Sequence, residues 1–284
     1  MTPPTSLLSG YRILDLTDEL AAYGTRLLAD WGAEVIKVEP PSGDPMRHEP
    51  PFVDDVPHPE HSLSFMAWHT NKKSTTLNRH CADGRALLQA LLHTADALVW
   101  SGQSDYLADS QLNEATLRTQ YPKLIFTTAS GFGQTGPHAY FASSDLVAQA
   151  MGGVMWMSGH ADGPPICPGG NLSFILTGLY TAVGTLSALW HRQRTGEGQH
   201  VDISQQDSVA SILAEFGALK LLGERGHSAT LRHAPAGFSP QWTLSLSRRL
   251  SHADRVAHRL VTFCRMGIRG DEQCDGAGAA IRRQ

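Results

Sequence analysis

The chain has 284 residues, enough for one large domain or two modest ones. It carries 23 Lys and Arg against 27 Asp and Glu, so its formal net charge is −4. This balance argues against a nucleic-acid-binding protein that relies on a general basic field. The four cysteines have no CxxC or paired spacing, which argues against a disulfide framework and a thiolate metal site. The N-terminus lacks a basic flank and a long apolar stretch, so we expect no signal peptide and a cytoplasmic protein.

Apolar strand patterns alternate with amphipathic helix patterns along the first 130 residues. The strand patterns cover residues 11–16, 33–39, 74–77, 97–100 and 124–128. The helix patterns cover a segment that is capped by Thr17 or Asp18 and stopped by Gly32, then residues 83–92 and 111–120. Residues 40–62, rich in Pro, His and acids, are predicted to form a long loop. The alternation predicts an α/β fold, with a parallel sheet and helices on both of its faces.

Two further helices are predicted at about 174–192 and 205–222, with a strand at 201–203 between them. The first contains a run without charge, Leu172–Trp190, that is nearly long enough to span a membrane. Its apolar residues recur at helical spacing, it is diluted by Ser, Thr and Gly, and no second hydrophobic span accompanies it. We therefore expect a buried helix of a soluble protein and no membrane partner.

The character of the chain changes after Phe238. Residues 239–284 contain eight Arg, no Lys and four acids, and the end is rich in Gly and Ala. One interpretation is an ordinary linker with a short helix. The other is a change of reading frame or a truncation that replaces a proper C-terminal domain.

The segment Gly131–Gly136 matches the GxGxxG pattern and follows a predicted strand. A nicotinamide or flavin site would need a helix that begins within the pattern, and the pattern normally follows the first strand. Here Pro137 and His138 follow instead. A turn that shapes a loop near a ligand is the alternative.

A small basic cluster, Asn71–Ser74, lies between a loop and a strand. It could be a solvated charge pair, or it could contact the phosphates of a nucleotide tail, with Lys72 acting as a point charge. The fourteen histidines show no HExxH or other ligand spacing, so no metal site is predicted.

Several longer motifs together resemble the class III CoA-transferases, a family that includes carnitine CoA-transferase, formyl-CoA transferase and α-methylacyl-CoA racemase. They run in family order over about residues 10–222. The motifs are Asp15-Leu16-Thr17, residues 27–47 (LLADWGAEVIKVEPPSGDPMR), Asn71–Ser74, residues 130–137 (SGFGQTGP), residues 162–165 (DGPP) and residues 194–204 (RTGEGQHVDIS).

The resemblance implies a Rossmann-like large domain, a smaller second domain, and two subunits threaded through each other. It also implies that an aspartate carboxylate attacks the acyl-CoA thioester, which gives a mixed anhydride and free CoA thiolate. The thiolate then forms an aspartyl-CoA thioester, and the acceptor acid takes over the CoA. Backbone amides of glycine-rich loops can stabilise the oxyanions.

The chain departs from this family at its catalytic position. The nucleophile normally stands four residues before the glycine of an Asp-Leu-Leu-Thr-Gly-like stretch, and here that position is Phe174. A phenyl ring cannot attack a thioester, and loss of a nucleophile costs many orders of magnitude in rate. The racemase branch also needs a His before Asp145, where Ser144 stands. Residues 101–105 replace the Asn-Phe-Arg-Pro-Gly-like loop of the family, which removes one expected CoA contact.

The sequence leaves several interpretations open. The chain could be a non-catalytic subunit, working as a homodimer or as a heterodimer with an active paralogue. It could be an enzyme with a displaced carboxylate such as Asp145, a degraded homologue, or, from the glycine pattern alone, a nicotinamide-binding oxidoreductase.

We predict a large CoA-binding domain at 1–222 and a linker with a remnant of the small domain at 223–284. No catalytic residue and no prosthetic group are assigned, acyl-CoA and a carboxylic acid are the expected substrates, and the expected CoA contacts are Lys72, Gly131, Gly133 and Gly136.

Overall fold

The computed structural model of the protein describes residues 6–103, 114–159 and 163–213. Several predictions fall outside these described residues: the linker and remnant domain at 223–284, the altered segment 239–284 and the last part of the helix at 205–222.

Six parallel strands form one sheet in the described part of the chain, and each corresponds to a predicted strand. The strands are β1 (Arg12–Leu16), β2 (Glu34–Glu39), β3 (Lys73–Thr76), β4 (Ala97–Ser101), β5 (Ile125–Ser130) and β6 (His200–Ser204). Their order across the sheet is β3-β2-β1-β4-β5-β6. The α/β class with a parallel sheet is thereby confirmed.

Eight α-helices accompany the sheet in the described ranges. They are α1 (Glu19–Asp30), α2 (Leu63–Trp68), α3 (Ala82–Leu92), α4 (Glu114–Gln120), α5 (Asp145–Met151), α6 (Val154–Met157), α7 (Leu172–Thr195) and α8 (Gln205–Ser211). Three of them, α2, α5 and α6, are absent from the predictions; each has seven residues or fewer, too short for a periodic apolar pattern to stand out.

Both faces of the sheet are covered by apolar helix faces. On one face, strand residues such as Ile13 and Val99 pack with Leu28 of α1 and Leu189 of α7. On the other face, strand residues pack with the leucines of α3 and α4, Leu88, Leu92 and Leu117. This two-sided burial explains why β4 and β5 are buried along their whole length, and why β4 is apolar up to its last residue.

Helix α1 begins at the first predicted cap region, and the structure distinguishes the two cap candidates. The carboxylate of Asp18 accepts a hydrogen bond from the Leu20 amide at 3.0 Å, so Asp18 is the N-cap. The Thr17 hydroxyl instead donates to the Asp15 carboxylate at 2.6 Å. Gly32 follows the helix with φ of 96°, a conformation that glycine adopts without strain.

Helix α7 is the one helix of the described residues that is long and apolar enough to cross a membrane, judged by length and composition alone. Its inner face, which includes Thr177, Gly178, Thr181 and Ala182, is buried. These small residues pack against α1 and the sheet, which is the arrangement expected for a core helix.

The crossing of α1 and α7 depends on two glycines. A Cβ atom on Gly24 would lie 2.4 Å from the backbone oxygen of Gly178, a separation that real contacts do not reach. We therefore expect Gly24→Ala to lower the free energy of unfolding by about 1–3 kcal/mol, although alanine favours helices intrinsically. Urea unfolding measures this change. Ser187→Ala on α7 is the control, expected to stay within about 0.5 kcal/mol of wild type; a Gly24→Ala protein as stable as that control would contradict the close approach.

Candidate functional site

The strand order reverses between β1 and β4, so the loops that follow these strands diverge to opposite faces of the sheet. In open α/β sheets, ligands bind in the crevice that this reversal creates at the carboxyl ends of the strands. Here the loop after β1 contains Asp18, and β4 ends at Ser101. The Asp18 amide donates to the Ser101 hydroxyl at 3.1 Å, so the start of the first loop contacts the end of the neighbouring strand.

The predicted glycine turn follows β5 at the same edge of the sheet. Gly133 and Gly136 have φ of 83° and 109°, in the left-handed region that disfavours other residues. Gly131 is required for a different reason, because a Cβ atom there would lie 2.4 Å from Cβ of Ser143. The glycine pattern is therefore explained by backbone conformation and close packing.

The turn is held against its neighbours by polar contacts from two sides. The Gln134 amide donates to Oδ2 of Asp202, which follows in β6, at 2.9 Å. The Gln134 side chain donates to the carbonyl of Gly102 at 2.9 Å, and Gln103 donates to the carbonyl of Gly133 at 3.3 Å. The structure thus brings two family-like motifs, 130–137 and 194–204, together with the loop after β4.

Asp202 lies partly buried beneath this turn. Burial raises the pKa of its carboxyl group, and the amide of Gln134 and the charge of His200 act in the opposite direction. The Thr128 hydroxyl, directly across the β5–β6 pair, makes a further weak contact with Asp202 at 3.4 Å. These contacts make Asp202 an anchor of the turn.

The turn does not have the geometry of a dinucleotide fingerprint. It follows the fifth strand of the chain, and the next helix in the described residues, α5, begins only at Asp145. A nicotinamide site needs the helix N-terminus within the glycine pattern so that the backbone amides face the pyrophosphate. This observation weighs against the oxidoreductase alternative.

Lys72 lies in a buried polar cluster between α1 and the sheet. Its ammonium group is 2.8 Å from Oδ2 of Asp15, and the two side chains are 1% and 0% exposed. It also donates to the Thr25 hydroxyl at 2.8 Å and to the Ala22 carbonyl at 2.9 Å, and it lies 3.0 Å from Nδ1 of His69. The contact of Lys72 with CoA stays a prediction; in this structure its ammonium protons are directed to protein acceptors.

Two buried lysines determine the protonation of this cluster. Burial disfavours the charged form of Asp15, but the charges of Lys72 and Lys37 outweigh it and hold the pKa of Asp15 far below its usual range. Lys37 also pairs with Asp44 at 2.6 Å and donates to the Thr17 carbonyl. Burial and the same two lysine charges lower the pKa of His69 to about 2, so this ring is neutral.

Phe174 lies in the first turn of α7, where it is 8% exposed. One residue earlier, Ser173 donates its amide and its hydroxyl to Oδ1 of Asp145, at 2.9 and 2.7 Å. The other oxygen of Asp145 accepts from the Gln149 side chain at 2.8 Å. Asp145 therefore satisfies the open amide at the start of α7, and both of its carboxylate oxygens are engaged.

The sequence reasoning missed the contact between Asp145 and Ser173. They are 28 residues apart, and the loop between them carries no periodic signal. The Ser144 cap and the acid in the first turn of α5 were the available local signal. Among the described residues, no group of three His, Cys, Asp or Glu side chains is arranged to hold a metal ion.

Comparison with known proteins agrees with this architecture. The family model described as CoA-transferase family III matches residues 8–238. A succinyl-CoA:mesaconate CoA-transferase of Haloarcula marismortui is 41% identical over 210 residues, which cover 72% of this chain and 53% of that protein. The BbsE subunit of a succinyl-CoA:(R)-benzylsuccinate CoA-transferase of Thauera aromatica is 33% identical over 238 residues, which cover 81% of this chain and 58% of that protein.

A crystal structure of a CAIB/BAIF family protein from Brucella suis superimposes with a TM-score of 0.72 at 34% sequence identity, covering 78% of this chain and 59% of that one. The chain spans about half the length of the curated relatives that it matches. The matched region nevertheless includes the sheet, the glycine turn and the start of α7. The chain belongs to CoA-transferase family III.

Proposed function

We propose that this chain binds CoA or an acyl-CoA at the carboxyl edge of its sheet and serves as a non-catalytic, cytoplasmic partner of an active family member. One observation carries the proposal: the α7 position that corresponds to the nucleophile of the family is Phe174, and the adjacent carboxylate, Asp145, is engaged as a helix cap. A carboxylate that accepts three hydrogen bonds from the protein is a poor nucleophile, because attack requires it to lose them.

The CoA-binding part of the proposal is supported by the geometry of the carboxyl edge of the sheet. The glycine turn, the Asp18 cap and the loop after β4 converge at the point where the strand order reverses. The acyl-CoA and the acceptor acid are proposed by analogy with the relatives, whose names describe CoA transfer between acids. The turn glycines, together with Lys72, remain the proposed contacts.

The partnership is supported by a relative that is itself named as a subunit. In the family resemblance, two subunits interlock, so a chain without a nucleophile can still complete the site of its partner. A homodimer of this chain would lack the nucleophile in both copies, which favours the heterodimer with an active paralogue.

The alternative of an active enzyme is tested by mass spectrometry of the full chain after incubation with succinyl-CoA. We expect no covalent adduct, with or without an acceptor acid. A longer family member that has its aspartate, treated in the same way, is the positive control. An adduct that maps to Asp145 would overturn the non-catalytic assignment and establish a displaced nucleophile.

Calorimetric titration tests the binding function. We expect saturable binding of CoA by the full chain and none of NADH under the same conditions. Saturable NADH binding without CoA binding would support the oxidoreductase alternative instead.

Coexpression with a full-length family member of the same host, followed by size-exclusion chromatography, tests the partnership. We expect a mixed complex; recovery of separate species only would contradict the partnership.

A further inference from the structure

A network of side-chain hydrogen bonds, buried at its centre and part-buried at both ends, joins the segment after the glycine turn to the start of α7. The Ser143 hydroxyl donates to Oε1 of Gln205 at 2.8 Å, and Nε2 of Gln205 donates to the Ser173 hydroxyl at 2.7 Å. The Ser173 hydroxyl in turn donates to Asp145 at 2.7 Å. Gln205, the first residue of α8, is 1% exposed and lies at the centre of this network.

One end of this hydrogen-bond network, Ser143, contacts the glycine turn. Gly131 lies so close to Ser143 that a Cβ atom would overlap it. The carbonyl of Gly131 also accepts from the Gln206 amide at 3.1 Å. Gly131 therefore packs between Ser143 and the first turn of α8. Gln205 connects these two neighbours, because it belongs to α8 and accepts the hydrogen bond from Ser143.

The other end of the network, Ser173 with Asp145, adjoins Phe174. Ser173 immediately precedes Phe174, and its amide and hydroxyl are both bound to Asp145. Asp145 is fixed in turn by Gln149, which also donates to the Pro168 carbonyl at 3.0 Å. Because Gln149, Ser173 and Gln205 are buried, loss of one partner leaves the next unsatisfied, and the contacts act as a unit.

We propose that Gln205 is a positioning residue that holds the start of α7, and with it position 174, in register with the glycine turn. It bridges Ser143 and Ser173 with its two amide atoms, and no apolar side chain of similar size could do this. The inference rests on the proposed function in one respect only, which is that CoA is the ligand at the turn. When CoA binding restricts the motion of the glycine turn, the hydrogen bonds of Gln205 restrict the motion of the first turn of α7 as well.

The positioning role is tested without any ligand by hydrogen exchange, read by mass spectrometry on peptides that span 171–176. In Gln205→Met the side chain keeps its approximate size but loses both hydrogen bonds. We expect exchange at the Ser173 and Phe174 amides to become faster by about tenfold or more. The matched control is Gln206→Met, whose side chain makes a long contact at 3.4 Å with the Met151 carbonyl; here exchange stays within about twofold of wild type.

The coupling is tested by repeating the exchange with saturating CoA. We expect CoA to slow exchange at 171–176 in the wild type and in Gln206→Met. In Gln205→Met, CoA still binds, but the slowing at 171–176 is lost while protection at 130–136 is kept. A purely structural defect would reduce both effects together.

The outcomes separate the two proposals. If the wild type binds no CoA, the proposed function fails, and the ligand-free exchange still decides whether Gln205 positions α7. If Gln205→Met exchanges like wild type without ligand, the positioning role is wrong, whatever CoA does. If CoA protects 171–176 equally in wild type and Gln205→Met, the coupling through Gln205 is wrong.

Discussion

Replacing Lys72 with methionine is expected to lower the free energy of unfolding by about 3–5 kcal/mol. The substitution leaves the Asp15 carboxylate buried without the ammonium group that contacts it, and it removes one donor each from the Thr25 hydroxyl and the Ala22 carbonyl. Lys37 remains nearby and compensates only in part. Urea unfolding of the full chain measures the change.

Lys73→Met is the matched control for this substitution. The Lys73 side chain is 70% exposed, and its ammonium group pairs with Glu34 at 2.6 Å on the surface. Exposed pairs contribute less than about 1 kcal/mol, so a correspondingly small change is expected. If Lys72→Met were as stable as Lys73→Met but bound CoA more weakly, Lys72 would be a ligand contact and its buried contacts energetically unimportant.

The stability of the protein is expected to fall steeply as the pH decreases below 6.5. The pKa of His69 is about 2 in the folded protein, because burial and two lysine charges disfavour its protonation, and about 6.5 in the unfolded chain. Below pH 6.5 the unfolded chain therefore binds a proton that the folded protein excludes. The free energy of unfolding then decreases by up to about 1.4 kcal/mol for each unit of pH.

Carboxyl groups with a lowered pKa are expected to decrease the free energy of unfolding further at lower pH. Burial disfavours ionisation of Glu39, but its hydrogen bonds with Arg47 and Ser74 lower its pKa to about 2 in the folded state. The unfolded chain thus protonates Glu39 near pH 4.5 and Asp15 near pH 4, when the folded protein does not. Acid should unfold the domain through these groups together.

Urea unfolding at a series of pH values from 7.5 to 4.5 measures this dependence. His69→Asn removes the titrating ring and keeps an acceptor for Lys72, so its slope between pH 6.5 and 5 is expected to be smaller than that of wild type by about one proton. His80→Asn, which replaces an exposed ring, should keep the wild-type slope. Equal slopes for wild type and His69→Asn would mean that His69 is accessible to protons in the folded state.

The sequence by itself determined the six strands, the main helices and the family. These features depend on local patterns: apolar runs such as residues 97–100, and amphipathic spacing such as that of residues 83–92, report burial directly. The glycines of 131–136 also have a local signature, because turns with positive φ require them. The absence of a carboxylate at Phe174 could be recognised once the motifs were in register.

The tertiary structure alone decided what the polar residues do. Lys72 belongs to a cluster with Asp15, 57 positions away, and Gln205 meets Ser173 across 32 positions. Polar residues in a sequence look alike whether they face solvent or another buried group, since hydrogen-bond partners leave no periodic trace. Only the packing of α7 and α8 on the sheet brings Ser143, Gln205 and Ser173 together, because burial removes water and obliges each group to find its partner in the protein.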